Sequence, residues 1–274
     1  MKKMMIAGGV IIAIGLIITL VFVGLNGWRF ESEYEMKTFE STEKVTSLDI
    51  DFSVGHLTVK YVDSDKITLE YPESKSFRTD CSVSDGKLTV SNGRRHWYNF
   101  FGFYHLPATT LSLPKGLAVD LDLEMNAGNV YIEGGEYGNV KIYLNAGNLT
   151  LGDSSCASFE CKLNAGGADF GNIESDSVYV KLNAGGVNLK DVSCTNMRLE
   201  LNAGNVSTGK CSLDDLWVKI NAGTVNITLD GAQADYSIAV DKNAGSSTIS
   251  SSHGGAKKIT AKINAGDLNA YFSD

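Results

Sequence analysis

The side chains whose spacing lets them act together are eight asparagines. The tripeptide Asn-Ala-Gly begins at Asn126, Asn145, Asn164, Asn183, Asn202, Asn221, Asn243 and Asn264, at intervals of 19, 19, 19, 19, 19, 22 and 21 residues. A column of amides has two chemistries open to it. It can ligate cations, or it can hydrogen-bond to itself as a ladder when strands stack ~4.8 Å apart. Calcium-binding repeats place an Asp in every turn. The residues that follow the motif, Asn129, Asn148, Gly167, Gly186 and Asn205, do not supply one. The spacing therefore predicts a structural corner ladder through all eight asparagines.

No other set of reactive residues gathers in this way. The five cysteines, Cys81, Cys156, Cys161, Cys194 and Cys211, contain no Cys-x-x-Cys pair and leave an odd one over. A disulfide framework needs an even, dense set in a small domain, so the thiols read as small core or corner residues. The four histidines stand apart at His56, His96, His105 and His253. Zinc needs clustered Cys and His, so no metal and no cofactor is expected. An enzyme needs an acid, base or nucleophile brought together in a cleft. No such set can be assembled, and the chain reads as non-catalytic.

The elements that position the asparagines follow from alternation. One residue before seven of the eight Asn stand Met125, Leu144, Leu163, Leu182, Leu201, Ile220 and Ile263. Three and five before it stand further apolar columns, among them Ile142, Cys161, Val180 and Val140, Phe159, Val178. Polar residues such as Lys162, Lys181, Glu200 and Lys219 lie between them. A period of two marks a strand with one buried face. Val130, Leu149, Val187, Val206 and Val225 resume the apolar column after the motif. Each coil is predicted as strand, Asn-Ala-Gly corner, strand and a polar return turn such as Gly152-Asp153-Ser154-Ser155. Gly tolerates positive φ or a close neighbouring backbone, and Asn is the non-Gly residue that best tolerates the left-handed region. Ala is expected on the cramped inside of the bend. The fold class is all-β, a β-solenoid of stacked 19-residue coils, and one coil alone cannot be stable. Outward charges such as Asp122, Lys141, Glu160 and Arg198 read as solvated cross-strand pairs.

Residues 4–25 carry no charge, enough for a helix at ~1.5 Å per residue to span a ~30 Å hydrocarbon core. The solenoid is therefore preceded by one transmembrane α-helix. Lys2 and Lys3 precede it, while Arg29 is followed by Glu31 and Glu33. That bias predicts a single-pass protein of the cell membrane, N-terminus cytoplasmic and C-terminal domain extracellular. A cleaved signal peptide usually has a shorter apolar region, ~7–15 residues. The formal net charge is −8, but Lys2, Lys3 and Arg29 are the only charges in residues 1–30, leaving 21 basic and 32 acidic residues beyond. An acidic exported domain is a poor partner for nucleic acid.

The organisation that results is a tip at 1–3, the helix at 4–25, a linker at 26–44, atypical first coils and cap at 45–125, and regular coils at 126–274. Within the cap, residues 94–106 hold six aromatics flanked by two arginines. Arg94, Arg95, Trp97, Tyr98, Phe100, Phe101, Phe103 and Tyr104 either cover the open end of the first coils or form a contact loop for the bilayer interface, a glycan or a protein partner. The last coil, ending at residues 267–274, has no segment after it to cap it, so its edge is expected to be open to dimerisation.

With the anchor, the run Asp-Ile-Asp-Phe-Ser-Val-Gly-His-Leu-Thr-Val at 49–59, Leu113-Pro114-Lys115-Gly116 and the Asn-Ala-Gly coils in hand, the chain resembles a bacterial family of β-strand-repeat proteins. That family is provisionally named for adhesins and is otherwise a domain of unknown function. The resemblance covers about residues 40–274. It implies a β-solenoid ectodomain behind a membrane anchor, some relatives in cell-envelope stress systems, and no catalytic residues to carry over. The expected role is a non-catalytic extracytoplasmic module for binding or adhesion at the cell envelope, with an envelope glycan or a membrane protein as partner. The alternative is a sensory or regulatory ectodomain of an envelope-stress response that contacts another membrane protein.

Overall fold

The computed structural model describes residues 34–75, 77–94 and 106–273. The apolar segment 4–25 and the residues before it lie outside these, as do Arg95, Trp97, Tyr98, Phe100, Phe101, Phe103 and Tyr104. Among the described residues no helix is long and apolar enough to cross a membrane.

The strands in chain order are β1 (Glu35–Ser41), β2 (Ser47–Phe52), β3 (Gly55–Val62), β4 (Ile67–Glu73), β5 (Phe77–Ser84), β6 (Lys87–Arg94), β7 (Thr109–Pro114), β8 (Val119–Ile132) and β9 (Tyr137–Leu151). Then come β10 (Ser154–Phe170), β11 (Ile173–Leu189), β12 (Val192–Leu201), β13 (Asn205–Ser212), β14 (Asp215–Ile220), β15 (Thr224–Asp230), β16 (Tyr236–Ser247) and β17 (Lys257–Ser273). All belong to one wound sheet, so the molecule is all-β and solenoid-like.

Strands β10 and β11 show how one coil is made. Each is 17 residues long, so the strand bends through the Asn-Ala-Gly corner without ending there. In β10, Ser154 and Cys156, then Phe159, Cys161 and Leu163, then Ala168 and Phe170 are buried. The alternation slips at 157–158, at 164–167 and at 171–172. Each slip turns the strand, so three short sides enclose the core where two strands and a turn were expected. The return turn shrinks to Gly152-Asp153. Ser154 faces inward because its hydroxyl donates to the Gly152 carbonyl at 2.9 Å, which satisfies a polar group that burial would otherwise penalise.

Successive coils pair in parallel register: Leu163 lies opposite Leu182, and Leu182 opposite Leu201. Each such side chain is essentially inaccessible, and burying one contributes ~1.5–3 kcal/mol. A single apolar cluster runs through all the coils, and a small satellite of Val54, Phe77 and Leu106 sits beside the first ones.

The third residue of the motif must be Gly for a reason that stacking supplies. Gly166 and Gly185 have φ of 124° and 121°. A Cβ on Gly166 would stand 1.8 Å from the Gly147 carbonyl oxygen, and one on Gly185 1.9 Å from that of Gly166. The alanines are not inside the bend as expected. Ala146, Ala165, Ala184, Ala203, Ala222, Ala244 and Ala265 are exposed on the outer ridge, because the positive φ of the next glycine turns the chain around its carbonyl rather than around the alanine methyl.

Stacking order departs from chain order at both ends. The layers run β6/β7, β2/β3, β8, β9, β10, β11, β12/β13, β14/β15, β17 and β16. At ~4.8 Å per layer the stack is ~45 Å long. At the first end β5 adds antiparallel to β6, β4 to β7, and β1 to β4. Part of the segment read as a linker, 26–44, is therefore sheet. At the far end the last coil is not the open edge that was expected. The β17 strand is inserted between β14/β15 and β16 as far as Leu268. Thr248 Oγ1 bonds the Ala270 backbone beyond it, so only its last few residues keep a free row of N–H and C=O groups. The intervals of 22 and 21 residues supply the chain needed to skip one layer and step back. Ile249 is buried against the end of the core, and Ser252 exchanges two 2.9 Å backbone bonds with Ile238 on the outer edge of β16.

Candidate functional site

The eight asparagines form one file along a corner. Asn145 Nδ2 donates to Asn126 Oδ1 at 2.8 Å, Asn221 to Asn202 at 2.6 Å, Asn264 to Asn221 at 2.6 Å, and Asn243 to Asn264 at 3.2 Å. Asn164, Asn183 and Asn202 each donate to the Asn one coil before. The Tyr143 hydroxyl joins the file, accepting from Asn164 Nδ2 at 2.6 Å and donating to Asn145 Oδ1 at 3.1 Å. With the amide oxygens from Asn126 through Asn221 and that of Asn264 each accepting from a neighbour, the file holds coils together and commits its oxygens to stacking.

A second file lines another corner, in a shallow furrow of about 590 Å³ that includes Asp153, Asn172, Glu174, Asp191, Lys210 and Asp230. Its three aspartates are also engaged. Asp153 Oδ1 accepts from the Asn172 amide at 2.8 Å, and Asp191 Oδ1 from the Lys210 amide at 2.7 Å. Lys210 Nζ sits 2.7 Å from Asp230 Oδ1, and that hydrogen bond holds the Asp230 carboxyl below its usual range. These carboxylates cap exposed corner amides. No group of three or more His, Cys, Asp or Glu among the described residues is placed to hold a metal.

The thiols are all free, with Cys156, Cys161 and Cys211 buried. Burial pushes Cys161 and Cys194 up to about 12 and Cys211 up to about 11. A thiol held protonated is a poor nucleophile and a poor metal ligand.

The longest side of the coil is different. It carries the outward residues of segments such as 158–163, and its side chains face solvent with few structural duties. Tyr179, Arg198 and Trp217 stand in register on β11, β12 and β14. The Arg198 guanidinium lies 4.0 Å from the Trp217 ring centroid and 5.7 Å from that of Tyr179. Its Nε donates to Glu200 Oε1 at 2.9 Å. A planar cation stacked on an indole and fixed by a carboxylate is preorganised. Beside this stack run Lys162, Lys181, Glu200, Lys219, Lys262 and Asp241, again in register. Nearer the first end the same side is acidic, with Asp49, Asp51, Asp122 and Glu124.

The sequence had already placed these residues in two outward columns but read them as mutual pairs. The signal that separates them from ordinary surface charge is the Tyr-Arg-Trp succession at an interval of 19. Of the contact loop, Arg94 ends β6 and the chain returns at Leu106, which is buried beside Val54 and Phe77. The residues between lie outside the described region. Tyr34 packs edge-on against Phe77 with ring centroids 6.2 Å apart, so Arg94, Leu106 and the first described residue of the chain share one corner at one end.

A family model described as Toastrack DUF4097 matches residues 45–272. No curated protein matches the chain. Among solved structures, a Bacteroides fragilis protein provisionally named an adhesin is 12% identical, with 86% of this chain and 97% of that chain covered and a TM-score of 0.51. A Parabacteroides distasonis protein provisionally named a lipid-binding protein is 13% identical, with 88% of this chain and 96% of that chain covered and a TM-score of 0.51. At these identities the likeness is one of fold.

Proposed function

This chain belongs to the Toastrack DUF4097 family, and from that premise we propose that it is a non-catalytic module of the cell surface, held by residues 4–25 and binding or adhering at the envelope. The observation that carries this reading is the unbroken parallel register from β9 to β11. It makes a stiff body with one long, flat, solvent-facing side whose residues are not needed for the core. A rigid scaffold with an exposed face suits recognition, whereas catalysis asks for a cleft with converging groups. The provisional names of the two fold neighbours, one for adhesion and one for lipid binding, agree with such a role. Tyr34 and the ends of the 94–106 loop lie at the same end, so we place that end nearest the membrane and assign Arg94, Arg95, Trp97, Tyr98, Phe100, Phe101, Phe103 and Tyr104 to contact there.

The test uses the full chain in whole cells. Protease added outside should digest the β-domain and leave an N-terminal tag intact, and the detergent-extracted protein should be retained on isolated envelope fragments. Protection of the β-domain from external protease would overturn the location. Absence of retention would overturn the binding role. Cross-linking to one specific membrane protein would point instead to the sensory ectodomain.

A further inference from the structure

The long side carries cations that the fold leaves unneutralised. Among the described residues, Lys162 is paired with Glu160 at 2.5 Å and Lys258 stands 3.9 Å from Asp215, but Lys181, Lys219 and Lys262 have no carboxylate within ion-pair distance. Lys219 and Lys262 are direct register neighbours on β14 and β17, and like charges on adjacent strands are unfavourable. Glu200, the other register neighbour of Lys219, gives its Oε1 to Arg198. Asp241 lies beside Lys262 in register without forming an ion pair. A chain of net charge −8 thus keeps a basic strip on one side.

The aromatic column next to this strip is open in the same direction. One face of Trp217 is covered by Arg198. On the two layers beyond it the column continues with Thr260 and Ala239, neither long enough to reach over the other face of an indole. The result is a shelf: an aromatic wall, a floor of small residues and a border of free ammonium groups. The C–H face of a pyranose ring packs on an aromatic ring, while a carboxylate on the same sugar draws Lys. Flat aromatic area with fixed polar neighbours provides orientation as well as affinity.

We propose that Tyr179, Trp217, Lys181, Lys219 and Lys262 bind an acidic polysaccharide, a chain of sugar rings bearing carboxylates, laid along the coil stack across β11, β12, β14 and β17. This presupposes the surface-binding role proposed for the module and names its ligand class. Trp217 supplies the stacking platform and the lysines pair with successive carboxylates. Arg198, already bound to Glu200, holds the indole in place.

The experiment measures binding of full-length protein in detergent micelles to polygalacturonate, with neutral dextran and polyphosphate as comparisons. Polygalacturonate should bind and dextran should not. The double variant K219Q/K262Q should weaken polygalacturonate at least about tenfold and reduce the loss of affinity with added salt. W217A should weaken polygalacturonate by a similar factor and leave polyphosphate unchanged. K141Q, outside the strip, should change nothing, and circular dichroism melts should show each variant folded. No binding of polygalacturonate, or binding indifferent to K219Q/K262Q, overturns the proposal. So does polyphosphate binding as tightly with W217A without effect on either polymer, since that is charge attraction alone. Retention on envelope fragments without polygalacturonate binding would sink this ligand class and leave the surface-binding role standing. Loss of both would sink both.

Discussion

The middle coils, β9 to β11, and the coils at the two ends obey one repeat and meet different demands. In the middle every neighbour in space is the neighbour in sequence, 19 residues away, and each layer is covered on both faces. At the ends one face is bare, and there the chain abandons sequence order. The β2/β3 layer is overlaid by the later β6/β7, and β17 slips inside the earlier β16. Antiparallel strands finish the first end, and residues 248–256 with Ile249 finish the other. A repeat that propagates by stacking cannot terminate itself, because any coil identical to the rest presents an edge ready for another. The lesson is that the ends are specified by departures from the period, which carry as much structural information as the period.

The sharpest way to break this comparison is at the corner glycines. Gly185→Ala puts a methyl into the Gly166 carbonyl and asks an L-residue to hold φ of 121°. With no soft atom to yield, the loss should exceed ~4 kcal/mol, visible as loss of folded protein in chemical denaturation. Gly186→Ala, one residue on, meets nothing within 4 Å and should change stability by less than ~0.5 kcal/mol. Similar losses at both positions would mean the coils do not stack as described.

Next in size is the core, middle against end. Leu182→Ala empties a site sealed by coils on both sides and should cost ~2–5 kcal/mol. Ile249→Ala should fall toward the lower part of that range, because a single segment covers that end and can collapse onto it. Amide hydrogen exchange should then quicken in β16 while β10 and β11 stay protected. Equal quickening throughout would show that the far end is not a separate lid.

A thiol offers a third, pH-dependent cut. Cys161 is buried between Ile142 and Val180 in register, and burial raises it from 9.0 to about 12. The folded state therefore keeps its proton where the unfolded chain loses it. Its contribution is complete below about pH 9 and disappears as pH rises through about 12, on the order of 1.4 kcal/mol per pH unit in that window. Cys161→Val, which keeps the core filled, should flatten the alkaline fall in stability measured by urea titration. An unchanged slope would show that other groups dominate.

What the residues disclosed in advance follows the same division. The 19-residue spacing, with its apolar columns, was enough to place Leu163, Leu182 and Leu201 in one file, since period and alternation are local facts. The bend at 157–158 was hidden because it needs only two consecutive outward residues and no special residue type. The exchange of β16 and β17 was signalled by intervals of 22 and 21, but an added few residues read equally well as a longer loop. The alanine ridge was misplaced because the side of a bend on which a methyl falls depends on the φ of the following glycine. The Tyr179–Arg198–Trp217 stack was visible as a column, yet stacking of Arg198 on the indole at 4.0 Å is a matter of rotamers, which register alone does not fix.

The smallest effect concerns the asparagine file, where middle and end differ by one hydrogen bond. Asn183 donates to Asn164 and accepts from Asn202, whereas Asn243, on the outermost layer, donates to Asn264 and accepts from no other asparagine. Asn183→Ala removes two bonds and leaves a half-buried Asn164 oxygen without its donor. At ~0.5–1.5 kcal/mol for each bond, Asn183→Ala should cost about 1–3 kcal/mol. Asn243→Ala, whose side chain is exposed and whose lost partners water can replace, should cost no more than ~0.5–1 kcal/mol. If the ladder acted as one cooperative chain, the central substitution would exceed twice the terminal one. If it were only a row of solvated amides, the two would be indistinguishable in a denaturant titration. The ratio of the two losses therefore decides whether the corner amides hold the coils together or merely fit between them.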